Sequence, residues 1–399
     1  PTRRSSDLSR VRNLSLGADV LSSMRCMEQL GVRFERQGIE YVISSSGIRS
    51  FTAPSQSLDC GNSGTTMRLL AGILAGSGVQ GTLVGDASLN RRPMLRVVEP
   101  LRAMGAAITA SALATPPLQV TGASIRGITW RPNVASAQVK SAILLAGLSA
   151  TGQTEVVEIY PTRDHTERML EVLGANITFG PGSATIVGQR NLQAAHLSIP
   201  GDISSAAFFL VLAAMLPDSA ITVENVGLNE GRTGLIEVLE AMGAQVSIEV
   251  QDSTWEPVGR INVHGSVLQG FEISGALVPR LIDEIPVLAV AACVAKGRSV
   301  VHDAAELRAK ESDRISQLLS ELRKMGAKCE EHADGFTIEG GSLTGAVVDS
   351  HGDHRLAMAL TIAGLVASGT TTIRNSECVD ISYPEFWTDL ESVRGEQSD

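Results

Sequence analysis

Two kinds of apolar pattern alternate along the chain. Apolar positions recur at helical spacing in Thr65–Ala75, Met94–Met104, Ala137–Leu148, Ser204–Ala214, Ile285–Ala295, Arg314–Met325 and Leu356–Ala367, which predicts a helix over each. Between them, β-branched runs such as GTLVGD, TEVVEI and SAITVENV predict strands. SAAFFLVLAAML and IPVLAVAACVA are apolar nearly all the way round. A helix without a polar face belongs in a domain interior. The expected plan therefore inverts the usual α/β arrangement: helices inside, sheets outside.

One phrase returns at regular intervals: an amphipathic helix, then Leu or Met, Gly, Ala or Val, then a strand. It surrounds Gly31, Gly105, Gly174, Gly243 and Gly326, which lie 74, 69, 69 and 83 residues apart. Each glycine fits a helix C-terminus, where the chain turns into the left-handed region that side chains disfavour. The period is too long for a solenoid and suits a repeated subdomain of several strands and helices. Ile199–Ala206, IPGDISSA, is the expected crossover between domains.

Composition narrows the function. A length of 399 residues suggests two domains, and 43% hydrophobic against 19% charged residues excludes a disordered chain. Forty-three acidic against 33 basic residues give a net charge of -10, which argues against nucleic acid as a partner. The longest uncharged apolar run, Ile285–Ala295, is well short of the ~20 residues of a membrane span. The opening PTRRSSDLSRVRN lacks the apolar stretch of a signal peptide. Cys26, Cys60, Cys293, Cys329 and Cys378 form no C-x-x-C pair, so they read as reduced thiols of a cytoplasmic protein.

The charged residues cluster where apolar helices begin. In DCGNSGTTMRLL, Gly61, Asn62, Ser63 and Gly64 form a turn opening into a helix near Thr65, with Arg68 one turn inside. Such an end suits an anion, and it equally suits ordinary capping by Asn or Ser. Arg91 and Arg92 precede Pro93, either as a solvated face or as a planar clamp on carboxylate or phosphate. Ser136 and Gln138 stand near Lys140, whose charge in a first helical turn opposes the helix dipole. His165, between charged neighbours in TRDHTER, reads as a surface or salt-bridged residue. Lys310, Glu311 and Arg314 are expected within one helical turn. Asp283 and Glu284 abut an apolar run, where burial raises a carboxyl pKa. His354 and Arg355 open another buried helix, and His351 and His354 have no third ligand for zinc. If the repeats converge, these mouths make a basic pocket in an acidic protein, fit for a small, doubly anionic substrate.

Seven segments in order, GNSGTTMRLLAG, RRPMLRVVEPLRAMGA, ASAQVKSAILLAGL, TRDHTERMLE, IDEIPVLAVAA, ELRAKESDRI and GDHRLAMAL, resemble the EPSP synthase (3-phosphoshikimate 1-carboxyvinyltransferase) family. The likeness runs from Leu14 to Trp387, and the SAQVK and TRDH forms resemble its class II branch. The resemblance implies a two-domain, inside-out α/β barrel-like fold of βαβαββ units around buried helices. Residues 9–200 would form domain 2, with three repeats, and residues 201–399 domain 1. It implies transfer of the enolpyruvyl group of phosphoenolpyruvate to the 5-hydroxyl of shikimate 3-phosphate, in aromatic amino acid biosynthesis. No metal or other cofactor, no membrane and no nucleic acid is implied; a cytoplasmic monomer is.

Residue by residue, the resemblance assigns Gly64, Arg92, Gln138, Arg314 and Arg355 to phosphoenolpyruvate. Ser136, Ala137, Gln138, Arg163, Asp283 and Lys310 fall to shikimate 3-phosphate. Asp283 would be the base that takes the hydroxyl proton and Glu311 the acid that protonates the methylene carbon, with Lys310 beside them. Asn62, Thr65, Arg68 and His354 would support. Two departures stand out. The family's opening strand and Lys-Ser-x-x-x-Arg segment, which bind both substrates, have no counterpart, so residues 1–8 are expected to be a non-native leader on a truncated chain. Ile381 stands where some relatives carry Lys. The alternatives are an inactive fragment with partial substrate binding and, from the same fold, a UDP-N-acetylglucosamine enolpyruvyl transferase, against which the absence of a Cys near Arg92 speaks.

Overall fold

The structure is a computed structural model that describes residues 8–188 and 192–393. The expected leader, residues 1–8, lies outside the described residues apart from Leu8. The chain divides into two compact units, Pro1–Ile199 and Pro200–Asp399, each with its own apolar core.

Among the described residues, three four-stranded sheets build the first unit, all with one strand order. In the second of them, Leu58–Asp59 pairs parallel with Gln80–Val84, which pairs antiparallel with Leu118–Thr121, and that strand with Ala107–Thr109. Thr129–Trp130, Gln153–Val157, Ser183–Val187 and Ile177–Gly180 repeat the pattern. The remaining sheet joins strands from opposite ends of the unit: His196–Ser198 lies parallel to Ser9–Arg12, followed by Glu40–Ser44 and Arg33–Gln37. Helices Gly64–Ala75 and Ala137–Gly147 each cross between the strands of a parallel pair and are buried on nearly every side. They pack backbone to backbone, since a Cβ on Gly72 would stand 2.2 Å from the Ala142 carbonyl oxygen.

The second unit repeats the theme. Glu272–Ile273 pairs parallel with Arg298–Val301, then antiparallel with Gly335–Glu339 and Lys328–His332 follow. Ala220–Gly227, Val258–His264 and Gln245–Asp252 form a three-stranded sheet, extended by a single parallel bridge from Gly201 to Val226. Val347–Asp349 and Thr372–Arg374 form a parallel pair. Helices Ile203–Met215, Ile285–Val294 and His354–Val366 fill the interior and pack on one another. Burying so apolar a helix as Ile285–Val294, from Ile285 through Cys293, stabilises the unit by roughly 1.5–3 kcal/mol for each large side chain.

The repeating glycines sit at the ends of the outer, amphipathic helices. Gly31, Gly105, Gly174, Gly243 and Gly326 all have positive φ, between 78° and 107°, after helices Ala18–Gln29, Leu95–Ala103, His165–Val172, Gly234–Ala241 and Arg314–Lys324. A side chain at such a φ would be strained. The seven helices expected from the apolar pattern are all present, with boundaries within two residues of the expected ones.

Candidate active site

In the first unit, the two inner helices run side by side in the same direction. Their contacts fall at a constant offset: Arg68 meets Gln138, Gly72 meets Ala142, and Gly76 meets Ala146. Both positive helix ends therefore reach the same end of the unit. Ser63 caps the first helix by accepting a hydrogen bond from the Thr66 N–H at 3.1 Å. Gly64 opens that helix pressed against two guanidinium groups: a Cβ there would lie 2.7 Å from Arg68 Nη1 and 3.0 Å from Arg92 Nη1. Arg68 donates to Gln138 Oε1 at 2.6 Å, and Gln138 Nε2 donates to Thr65 Oγ1 at 2.7 Å. Arg92 donates to Asn62 Oδ1 at 3.0 Å, and Asn62 in turn donates to Asp86 at 2.6 Å. An amide oxygen thus orients each guanidinium. Asn62, Gly64, Thr65, Arg68, Arg92 and Gln138 thus form one connected group, and both arginines are buried (4% and 7% exposed).

Ser136 precedes the second inner helix, which Ala137 and Gln138 open. Lys140, one turn in, is buried, and its ammonium lies 3.0 Å from Glu158 Oε2 and 2.8 Å from Glu167 Oε1. It also donates to the Thr162 carbonyl at 3.3 Å, next to Arg163. His165 begins the helix His165–Val172.

In the second unit, all three inner helices begin behind a carboxylate: Asp202, Glu284 and Asp353. Asp353 and Arg314 are almost wholly buried and meet through two contacts, Nε to Oδ2 at 2.8 Å and Nη2 to Oδ1 at 3.2 Å. Burial pulls the Asp353 carboxyl up, and opposing contributions led by the charge of Arg314, with its hydrogen bond, leave it below its ordinary range. Arg314 also donates through Nη2 to Glu311 Oε2 at 2.5 Å and through Nη1 to Asp283 Oδ1 at 3.4 Å. Lys310 Nζ approaches the same Asp283 oxygen at 3.4 Å and Arg355 Nε at 3.8 Å. Asp283, Lys310, Glu311, Arg314 and Arg355 are thereby one network. His354 lies beside it, and burial holds its imidazole down to about 4, so it is neutral near pH 7.

Two local expectations change. Lys310 and Glu311 do not share a helix with Arg314; they precede it, because Asp313 caps the helix by accepting from Ile315 N and Ser316 N. Of the carboxylates in LIDEIP, Glu284 is the buried one, and burial pushes its pKa up, while Asp283 faces the three cations. His351 faces Glu321 at 3.0 Å. Sequence reasoning missed Asp353, Glu158 and Glu167. Asp directly before an apolar helix is a capping signal that pointed to the first.

The EPSP synthase (3-phosphoshikimate 1-carboxyvinyltransferase) family pattern matches residues 4–390. The 3-phosphoshikimate 1-carboxyvinyltransferase of Geobacillus kaustophilus is 48% identical over 94% of this chain and 90% of its own length. That of Bacillus subtilis is 47% identical over 96% of this chain and 90% of its own length. A solved EPSP synthase from Acinetobacter baumannii superposes with a TM-score of 0.84 at 41% identity, covering 97% of this chain and 90% of that one. With the repeated βαβαββ units and these matches over nearly the whole length, the chain belongs to the EPSP synthase family.

Proposed function

We propose that this protein transfers the enolpyruvyl group of phosphoenolpyruvate to the 5-hydroxyl of shikimate 3-phosphate and releases phosphate. The observation that carries the reading is the placement of two carboxylates on one guanidinium: Asp283 on Nη1 of Arg314 and Glu311 on Nη2. A reaction that removes a proton from a hydroxyl and adds one to a carbon needs two separate proton-bearing groups held in one frame.

In this reading Asp283 takes the hydroxyl proton as the oxygen bonds to C2 of phosphoenolpyruvate, and Glu311 gives a proton to the methylene carbon. One methyl proton then returns to Glu311 as the carbon–oxygen bond to phosphate breaks, and the departing phosphate takes up the proton that Asp283 removed. Gly64, Arg92, Gln138, Arg314 and Arg355 hold phosphoenolpyruvate, and Arg68, Asn62 and Thr65 orient that group. Ser136, Ala137, Gln138, Arg163, Asp283 and Lys310 hold shikimate 3-phosphate, while His354, neutral, supports the network without adding charge. The guanidinium groups offset the charge on carboxylate and phosphate as the tetrahedral intermediate forms and collapses. The serine mouths of the first unit suit anion binding, and Asp283 and Glu311 of the second unit suit proton transfer.

Phosphate release measured with both substrates tests the reading. D283N and E311Q are each expected to lower kcat by about 100-fold or more. Full turnover in either variant would refute the assignment.

A further inference from the structure

Lys140, the single lysine of residues 1–199, has 3% side-chain exposure, and its partners Glu158 and Glu167 are 3% and 1% exposed. Burying three charges is costly, and an apolar set of similar volume commonly serves stability as well or better. The position adds to the cost, since a cation in a first helical turn opposes the helix dipole. One ammonium also faces two carboxylates, and burial pushes the Glu167 carboxyl up. Its Oε2 has no hydrogen-bond partner among the described residues. Stability alone does not account for such a cluster.

Its connections do. The Lys140 ammonium bonds Glu158 and the Thr162 carbonyl, and Glu158 accepts from both the Thr162 N–H, at 3.4 Å, and the Thr162 hydroxyl. Glu167 stands in the first turn of the next helix, and Ser141 meets Thr166 there at 2.7 Å. Arg163 sits on the short segment between these two anchors. The cluster therefore ties the helix mouth bearing Ser136, Ala137 and Gln138 to the segment bearing Arg163.

We propose that Lys140 is a positioning residue: through Glu158, Thr162 and Glu167 it sets the spacing of two groups that grip the phosphorylated substrate. The inference rests on the roles given above to Arg163 and Ser136. Removing the ammonium leaves two facing carboxylates unpaired and frees the Thr162 carbonyl, so the Arg163 segment shifts while the proton-transferring network of the second unit is untouched.

Steady-state kinetics with each substrate varied in turn test this in K140M, T162V and R163A. In K140M the KM for shikimate 3-phosphate is expected to rise about tenfold or more, with kcat and the KM for phosphoenolpyruvate within about twofold. T162V, which removes only the hydroxyl anchor, should move the same parameter by about threefold, and it decides the matter if K140M does not fold. Unchanged KM for shikimate 3-phosphate, or an equal loss in all parameters, would overturn the proposal. R163A separates the two levels. If it leaves that KM unchanged, the role of Arg163 itself fails. If it raises the KM while K140M and T162V do not, only the positioning role fails.

Discussion

Gly64 leaves no room for a methyl group beside Arg92: a Cβ would stand 3.0 Å from its Nη1 and 2.7 Å from that of Arg68. Both obstacles are the far ends of flexible side chains, so an added methyl displaces guanidinium groups and leaves the backbone alone. G64A should therefore fold with nearly unchanged thermal stability. The KM for phosphoenolpyruvate should rise about tenfold, the equivalent of 1.4 kcal/mol. A rise confined to shikimate 3-phosphate would place the guanidinium pair on the other substrate.

Arg314 and Asp353 depend on each other because neither reaches water. Asp353 also caps the helix His354–Val366 by accepting from Arg355 N at 2.9 Å. D353N leaves a buried guanidinium without its main counter-charge, at a cost of about 3–5 kcal/mol. Urea denaturation should show that loss as a lower midpoint with an unchanged slope. R314M/D353L, which removes both charges, should recover a large part of it while remaining catalytically inert.

The pH dependence of stability has a part that belongs to His354. Its imidazole takes up a proton near pH 6.5 when unfolded and only near 4 in the folded protein, where burial disfavours the charge. Between those values the unfolded chain binds more protons, so acidification from pH 7 weakens the fold. The contribution is roughly 2 kcal/mol by pH 5. Urea midpoints of the parent and H354Q at pH 7 and 5 measure it, and the acid loss should be smaller in H354Q. Equal losses in the two proteins would show that another group carries the effect.

The inverted architecture was legible because an apolar helix has one place to go. SAAFFLVLAAML and IPVLAVAACVA carry no polar face, and both lie inside the second unit. The glycines of the repeat were equally legible, since their positive φ is a local matter of backbone sterics. Where reasoning from residues alone stopped was at partners brought together by the fold. Lys140 looked misplaced at its helix mouth because Glu158 and Glu167 arrive only after a strand and a loop return to it. LIDEIP holds two adjacent carboxylates, and only packing decides that Glu284 turns inward while Asp283 meets Lys310, Arg314 and Arg355. Lys310 and Glu311 share no helical turn with Arg314 because Asp313, between them, accepts from the first N–H groups and starts the helix after itself.

The contact of Gly72 with Ala142 works as a ruler. With no side chain between them, the two inner helices of the first unit have one separation, and it is set by atoms of the main chain. Gly72 lies eight residues from Gly64, about 12 Å along the helix. The gauge thus lies about two turns from Gly64 and one turn from Arg68 and Gln138, the groups it calibrates. A bulkier residue at position 72 would alter the size of anion those groups can span without touching any of them.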